Sequence, residues 1–152
     1  MRPAHVGDLA AVVALVAVAS DEKAAQKGGA VWQRRERRAD PAEPHLSKAL
    51  AAPDHEVAVG TLDEAVVGYG LCRAEQLADG GLLGVVEDIY VEPEARQLGV
   101  GELLMDHMLA WCREQGCFGV DSLALPGDRA TKNFFESFGL VARAIIVHRP
   151  LT

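Results

Sequence analysis

Leu82 to Gly101 reads LLGVVEDIYVEPEARQLGVG, and the architecture of the chain follows from where this stretch changes character. Leu82 to Val91 is mostly apolar, which predicts a strand, and Pro93 ends it. A helix follows from about Gly99 to Gln115, with Leu104, Met108 and Trp111 on one stripe and Gly116 as its stop. Phe118 to Leu125 reads as the next strand, terminated by Pro126-Gly127. Strand, helix and strand in that order form a crossover, so the two strands are expected to pair in parallel.

Upstream, Glu56 to Thr61 and Ala65 to Arg73 read as a hairpin around Leu62-Asp63-Glu64, followed by a polar loop from Ala74 to Gly81. Downstream, Asp128 is placed to cap a short helix ending near Ser137, Gly139 turns the chain, and Leu140 to His148 reads as a last strand. Residues 1–5 form a strand stub. Leu9 to Ala19 is an apolar run with two readings, a secretory signal or an amphipathic helix. Asp8 as an N-cap, with Leu9, Val12, Val13 and Val16 at helical spacing, favours a helix reaching about Gln26, where Gly28-Gly29 stops it. The run is too short to span a membrane. Residues 31–51 hold further helical turns interrupted by Pro41 and Pro44. The expected fold is α/β, three layers over residues 1–152 as one domain, with a mixed central sheet of about six to seven strands flanked by about four helices.

Composition narrows the function. Apolar residues make up 49% and charged residues 24% of 152, which excludes a disordered chain. The formal charge of −7 argues against nucleic acid as a partner, because phosphate binding needs a basic face. The acidity is localised: between Pro53 and Ala95 stand ten acids and one base, Arg73. Arg34, Arg35, Arg37 and Arg38 form the one basic cluster, read as a solvated helix face laced by Glu36 and Asp40 or as a phosphate-binding patch. Cys72, Cys112 and Cys117 are odd in number and lack ligand spacing, so they read as reduced fillers in a cytoplasmic protein. The five histidines are dispersed, and no metal is expected.

Chemistry is expected at the turn between strand and helix. Gly99 and Gly101 allow a tight backbone turn, and free N–H groups at the helix start suit a diphosphate. The spacing is neither a dinucleotide fingerprint nor a Walker A loop. Arg96-Gln97-Leu98-Gly99-Val100-Gly101 resembles the Arg/Gln-x-x-Gly-x-Gly/Ala signature of the GNAT superfamily of acyl-CoA-dependent N-acyltransferases. Pro126-Gly127-Asp128 and Phe134-Phe135-Glu136-Ser137-Phe138-Gly139-Leu140 are similar to the family's downstream helical segment. Val-Glu-Asp-Ile-Tyr-Val, residues 86–91, looks like a segment of diamine and polyamine acetyltransferases, whose acids hold a cationic amine.

The resemblance implies acetyl transfer from acetyl-CoA to a primary amine in a ternary complex. Amides around Gln97, Leu98, Gly99, Val100 and Gly101 would hold the pyrophosphate. Backbone groups of Ile89, Tyr90 and Val91 would pair with the pantetheine arm, and an amide there would polarise the thioester carbonyl. Two positions depart from the family: Asp128 stands where an asparagine is usual, and Phe135 where a tyrosine protonates the leaving thiolate. Tyr90 and Tyr69 are candidates for a relocated donor. An alkyl ammonium with a pKa of about 10.4 is neutral in about one molecule in 2,500 at pH 7, so freeing its lone pair requires about 4.6 kcal/mol. Glu87 is the expected base and Asp88 the expected substrate contact, against the reading that both are paired with arginines. The expected acceptor is a small cationic amine. The alternatives are a CoA-binding or sensing domain and a protein N-acetyltransferase. A homodimer is expected by the same resemblance.

Overall fold

A computed structural model describes residues 1–152. The elements run β1 (Arg2–Pro3), α1 (Leu9–Ala24), α2 (Gly29–Arg35), α3 (Glu43–Ala51), β2 (His55–Leu62), β3 (Ala65–Gln76), β4 (Leu82–Val91), α4 (Val100–Glu114), β5 (Val120–Ser122) and α5 (Arg129–Ser137). Single 3-10 turns, Val6–Asp8 and Pro93–Ala95, precede α1 and α4. The sheet is mixed, in the order β1-β2-β3-β4-β5. Its first four strands are antiparallel neighbours, and β5 pairs in parallel with β4, as a crossover requires.

The fold class is the expected α/β one, but the sheet has five strands. Of the six strands read along the sequence, one is shortened and one is absent. The strand expected from Phe118 to Leu125 contracts to Val120–Ser122. Leu140 to His148 forms no strand at all, despite its β-branched residues, because nothing in the chain pairs with it. The five α-helices are one more than expected, since the interrupted stretch from 31 to 51 resolves into α2 and α3.

Alternation along the strands builds two cores. Val57, Val59, Tyr69 and Leu71 face α1 and α3, where they meet Val12, Leu15, Val16 and Leu46. Ala58, Cys72 and Val86 face α4 and its Leu104, Met105 and Met108. Glycines on that second face let the helix approach closely. A Cβ at Gly60 would lie 2.2 Å from a Val100 methyl, and one at Gly70 would lie 2.8 Å from the Met108 sulfur. The thiols are free and behave as fillers: Cys72 and Cys112 are buried against α4's core, and Cys117 packs beside them.

The apolar run at the N-terminus is α1, with Val12, Leu15 and Val16 turned inward. No helix of the protein is long and apolar enough to cross a membrane. Asp8 does not cap α1 through its side chain, contrary to expectation. It closes the preceding turn instead, accepting from the His5 N–H at 2.9 Å, and its two oxygens take the Arg2 guanidinium at 2.7 and 2.8 Å. That guanidinium holds the buried Asp8 carboxyl down at about 2.

Candidate active site

β4 and β5 stay paired only as far as Val86 and Ser122. Beyond that point β4 keeps its bonds to β3 through Asp88–Val91 and loses its neighbour on the other side. The separation opens a cleft of about 290 Å³, walled by Ile89, Tyr90 and Val91 on one side and by Ser122, Leu123 and Phe134 on the other. A strand with one free edge can accept an extended ligand as though it were another strand.

The expected diphosphate loop lies at the cleft's mouth. Gln97 and Gly99 adopt left-handed backbone, with φ of +71° and +80°, and turn the chain into α4. The amides of Gln97, Leu98 and Gly99 donate to no backbone carbonyl, and the first amides of α4, from Val100 onward, have no partner upstream. Val100 is buried and anchors the loop, Leu98 is exposed, and Gly101 lines the cleft. Arg96 braces the corner: its Nε donates to the Val91 carbonyl at 2.8 Å and its guanidinium lies 5.4 Å from the Tyr90 ring centre. Asp128 lines the same cleft, and its carboxylate caps α5 by accepting from the Thr131 N–H at 3.0 Å. Phe135 is buried in the core beneath α4 while its residue also borders the cleft, and it has no proton to give.

The acid pair lies deeper on β4. Strict alternation predicts that only one of Glu87 and Asp88 faces a given pocket. The structure differs, because the pairing with β3 skips a residue: Leu71 opposes Asp88, and Cys72 opposes Val86. Glu87 is therefore the extra residue of a β-bulge, and the bulge brings both carboxylates to the side facing α1 and α2. One guanidinium meets them both. Arg38 Nη2 donates to Glu87 at 3.0 Å, and Nη1 donates to Asp88. Arg73 Nε donates to the other Glu87 oxygen at 2.7 Å, and Tyr69 donates to Asp88 at 3.2 Å. Burial alone would push the Glu87 carboxyl up, but Arg38 and Arg73 override it and hold it below its ordinary value. Burial and Asp88 push the Tyr69 hydroxyl well above the usual phenol range. The basic cluster is thus neither a free patch nor a solvated face throughout. Arg38 enters the acid pair, and Arg37 pairs with Asp21 on α1 at 2.8 Å.

Besides Glu87, Asp88 and Asp128, two exposed carboxylates that were not singled out in the sequence border the cleft, Glu22 and Glu102. Glu22 on α1 accepts from the Tyr90 hydroxyl at 3.0 Å and from Arg96 at 3.3 Å. Its side chain is 45% exposed, against 18% for Glu87 and 13% for Asp88. Just past the end of α1, which stops at Ala24 and short of the expected Gln26, Gln26 also lines the cleft, and its Oε1 is buried without a donor.

The family model for the acetyltransferase (GNAT) family matches residues 16–140. The chain belongs to that family. Comparison with curated protein sequences finds no match. Among solved structures, the GNAT chain is similar to a tetramutant of the BH1408 protein from Bacillus halodurans, at 17% identity and a TM-score of 0.82 over 99% of this chain and 98% of that one. It is similar to the aminoglycoside N-acetyltransferase AAC(6')-Iy in complex with a CoA-containing bisubstrate analogue, at 18% identity and a TM-score of 0.74 over 99% and 97% of the two chains. It is also similar to the aminoglycoside acetyltransferase meta-AAC0020 from an uncultured soil metagenomic sample, in complex with sisomicin, at 22% identity and a TM-score of 0.68 over 96% and 90%. At these identities the likeness is one of fold.

Proposed function

We propose that this GNAT protein transfers an acetyl group from acetyl-CoA directly to the primary amine of a small cationic acceptor. The observation that carries the coenzyme half is the unpaired edge of β4 from Glu87 onward, leading to the undonated amides of Gln97 to Gly99. Those groups fit a pantetheine arm and a diphosphate, the first as an added strand and the second at a helix start. Ile89, Tyr90 and Val91 would line the arm; Gln97, Leu98, Gly99, Val100 and Gly101 would take the phosphates. Arg96 holds that corner, and Asp128 and Phe135 border the arm. The neighbours that hold aminoglycosides or a CoA-containing analogue support an amine acceptor by analogy of fold.

We assign the acceptor end to Glu22 and Gln26. Glu22 is an exposed carboxylate of the cleft, held beside Tyr90, and Gln26 Oε1 is a buried acceptor awaiting a donor. An ammonium group satisfies both. Glu87, the expected base, has both oxygens engaged by guanidinium groups, so in this reading it acts as a fixed anion that with Asp88 positions Arg38. The transfer forms a C–N bond as the thioester C–S bond breaks. The amine releases a proton and the departing thiolate takes one up, and a thiol with a pKa of about 8.5 leaves without a strong acid.

The test is acetyl-CoA titration by calorimetry followed by thiol release over a panel of amines. Micromolar binding and faster release with cationic primary amines are the expected results. Absence of binding at millimolar acetyl-CoA overturns the coenzyme assignment. Binding without release for any amine favours the sensing alternative, to which the missing hydroxyl at Phe135 lends its weight.

A further inference from the structure

α4 closes on a turn that carries a thiol at each end. The helix stops at Glu114, and Gly116 takes left-handed backbone, with a φ of +80°. The Gly116 N–H donates to the Arg113 carbonyl at 3.0 Å, and the Cys117 N–H donates to the Cys112 carbonyl at 3.0 Å. This pair of bonds packs the residue after the glycine against Cys112, the last buried residue of the helix. Such a contact is ordinarily apolar, and here both residues are cysteines. A 3.0 Å bond between the two backbones keeps their Cα atoms within about 7 Å, the outer reach of a disulfide.

The side chains meet the same condition. Cys112 and Cys117 line one surface groove beside β5, and both pack in the cluster that α4 makes with β3 and β4. Cys117 is half-buried and reaches solvent, whereas Cys112 is 1% exposed. Cys72 and then Cys117 favour the Cys112 thiolate and hold that thiol below its ordinary value, while burial pushes Cys117 up. Cys72, on β3, is wholly buried, and no backbone bond ties it to the other two. The three thiols do not converge as metal ligands would.

We propose that Cys112 and Cys117 form a two-thiol site that a small peroxide converts to a disulfide within the chain. Exposure makes Cys117 the point of entry. Its sulfur attacks the peroxide O–O bond, the thiol gives up its proton, and the products are a sulfenic acid and one water. The Cys112 thiolate then attacks the Cys117 sulfur. An S–S bond forms, the S–O bond breaks, and the departing hydroxide takes the Cys112 proton as a second water. In sum, two thiols lose two electrons and two protons, and one peroxide gains them. The turn keeps the closing thiol beside the oxidised one, so the disulfide forms before further oxidation of Cys117.

Dilute full-length chain treated with equimolar hydrogen peroxide, then digested with trypsin without reduction, tests the site. Trypsin cuts after Arg113, between the two cysteines, so each possible pairing joins a different set of peptides. The wild-type chain is expected to lose two hydrogens in intact mass, to show the peptide ending at Arg113 joined to the one beginning at Glu114, and to revert with dithiothreitol. Cys117→Ser is expected to form no bridge. Cys112→Ala is expected to leave a Cys117 sulfenic acid that dimedone captures. The wild-type map decides the matter even where Cys112→Ala fails to fold. A bridge that includes Cys72, a bridge between chains, a sulfinic acid at Cys117 beside a reduced Cys112, or an unmodified chain overturns the proposal. The assay needs neither acetyl-CoA nor an amine, so its failure is separate from any failure of acetyl transfer.

Discussion

Two carboxylate sites lie along the same half of β4, and they are finished differently. At one, Glu87 and Asp88 share Arg38, Arg73 takes the remaining Glu87 oxygen, and a tyrosine hydroxyl joins Arg38 on a single Asp88 oxygen. At the other, Glu22 meets the Tyr90 hydroxyl and one edge of Arg96 and stays largely open to solvent. The closed site has its charge balanced inside the fold by two guanidinium groups, which makes it a structural anion pair with Asp88 Oδ1 as its one unshared oxygen. The open site keeps a carboxylate with free lone pairs beside an unsatisfied amide oxygen. Acids in a cleft are therefore to be sorted by what already holds them.

The largest effect should come from breaking the closed site. Arg38→Met leaves two half-buried carboxylates facing each other without their shared cation, and stability at about pH 7 should fall by about 3 kcal/mol. The deficit has a pH signature. With that guanidinium gone, the burial that pushes the Glu87 carboxyl up is opposed by Arg73 alone, so protonation opposes the fold less and the loss shrinks as pH drops toward about 5. Urea unfolding at the two pH values measures both. An equal deficit at each pH would show that Arg38 contributes packing alone.

Asp8 supplies the control, a closed carboxylate that does not line the cleft. Its carboxyl sits at about 2 in the fold against an ordinary 3.8, which corresponds to roughly 2 kcal/mol. That contribution is present in full above the ordinary value and is lost as pH falls through the folded one. Asp8→Asn should lower stability by about 2 kcal/mol near neutrality and remove this step of the acid unfolding curve, with acetyl transfer unchanged. A changed KM for the amine would mean that the N-terminal turn communicates with the acceptor end.

The difference between the sites also explains what was legible in the sequence. β4 was read with its true limits because ten residues of pattern and a following proline are local signals. The glycine loop and the α5 cap were equally local, and the structure puts both beside the cleft. The bulge at Glu87 was not legible, since it is a mismatch between β4 and its partner β3. Arg38 was not legible as a partner because it arrives from 50 positions away. Leu140 to His148 was misread for the opposite reason: strand propensity was present and a strand partner was not. Glu22 was hidden because an acid on the polar side of a helix has the same local pattern whether it faces solvent or a cleft.

The open site is sharpened by Glu22→Gln, which keeps the shape and removes the charge. KM for a cationic amine should rise about tenfold, the worth of one hydrogen bond to a charged group, while stability stays level. Steady-state kinetics with a cationic and a neutral amine provide the contrast, and an equal loss for both would take the ammonium away from Glu22.

Tyr90→Phe should have the smallest effect, and it separates two roles for one hydroxyl. Burial and the neighbouring Glu22 raise the Tyr90 phenol above its ordinary value of 10.0. A phenol displaced upward is a weaker acid than the thiol that would form by protonating the departing thiolate, whose pKa is about 8.5. The hydroxyl is better suited to orienting Glu22, so its removal should shift KM by about threefold and leave kcat level, in keeping with the loss of one neutral donor. A fall in kcat of about a hundredfold with an altered alkaline limb would instead make Tyr90 the proton donor that Phe135 is not. That outcome would move the chemistry from the carboxylate of the open site to the hydroxyl beside it.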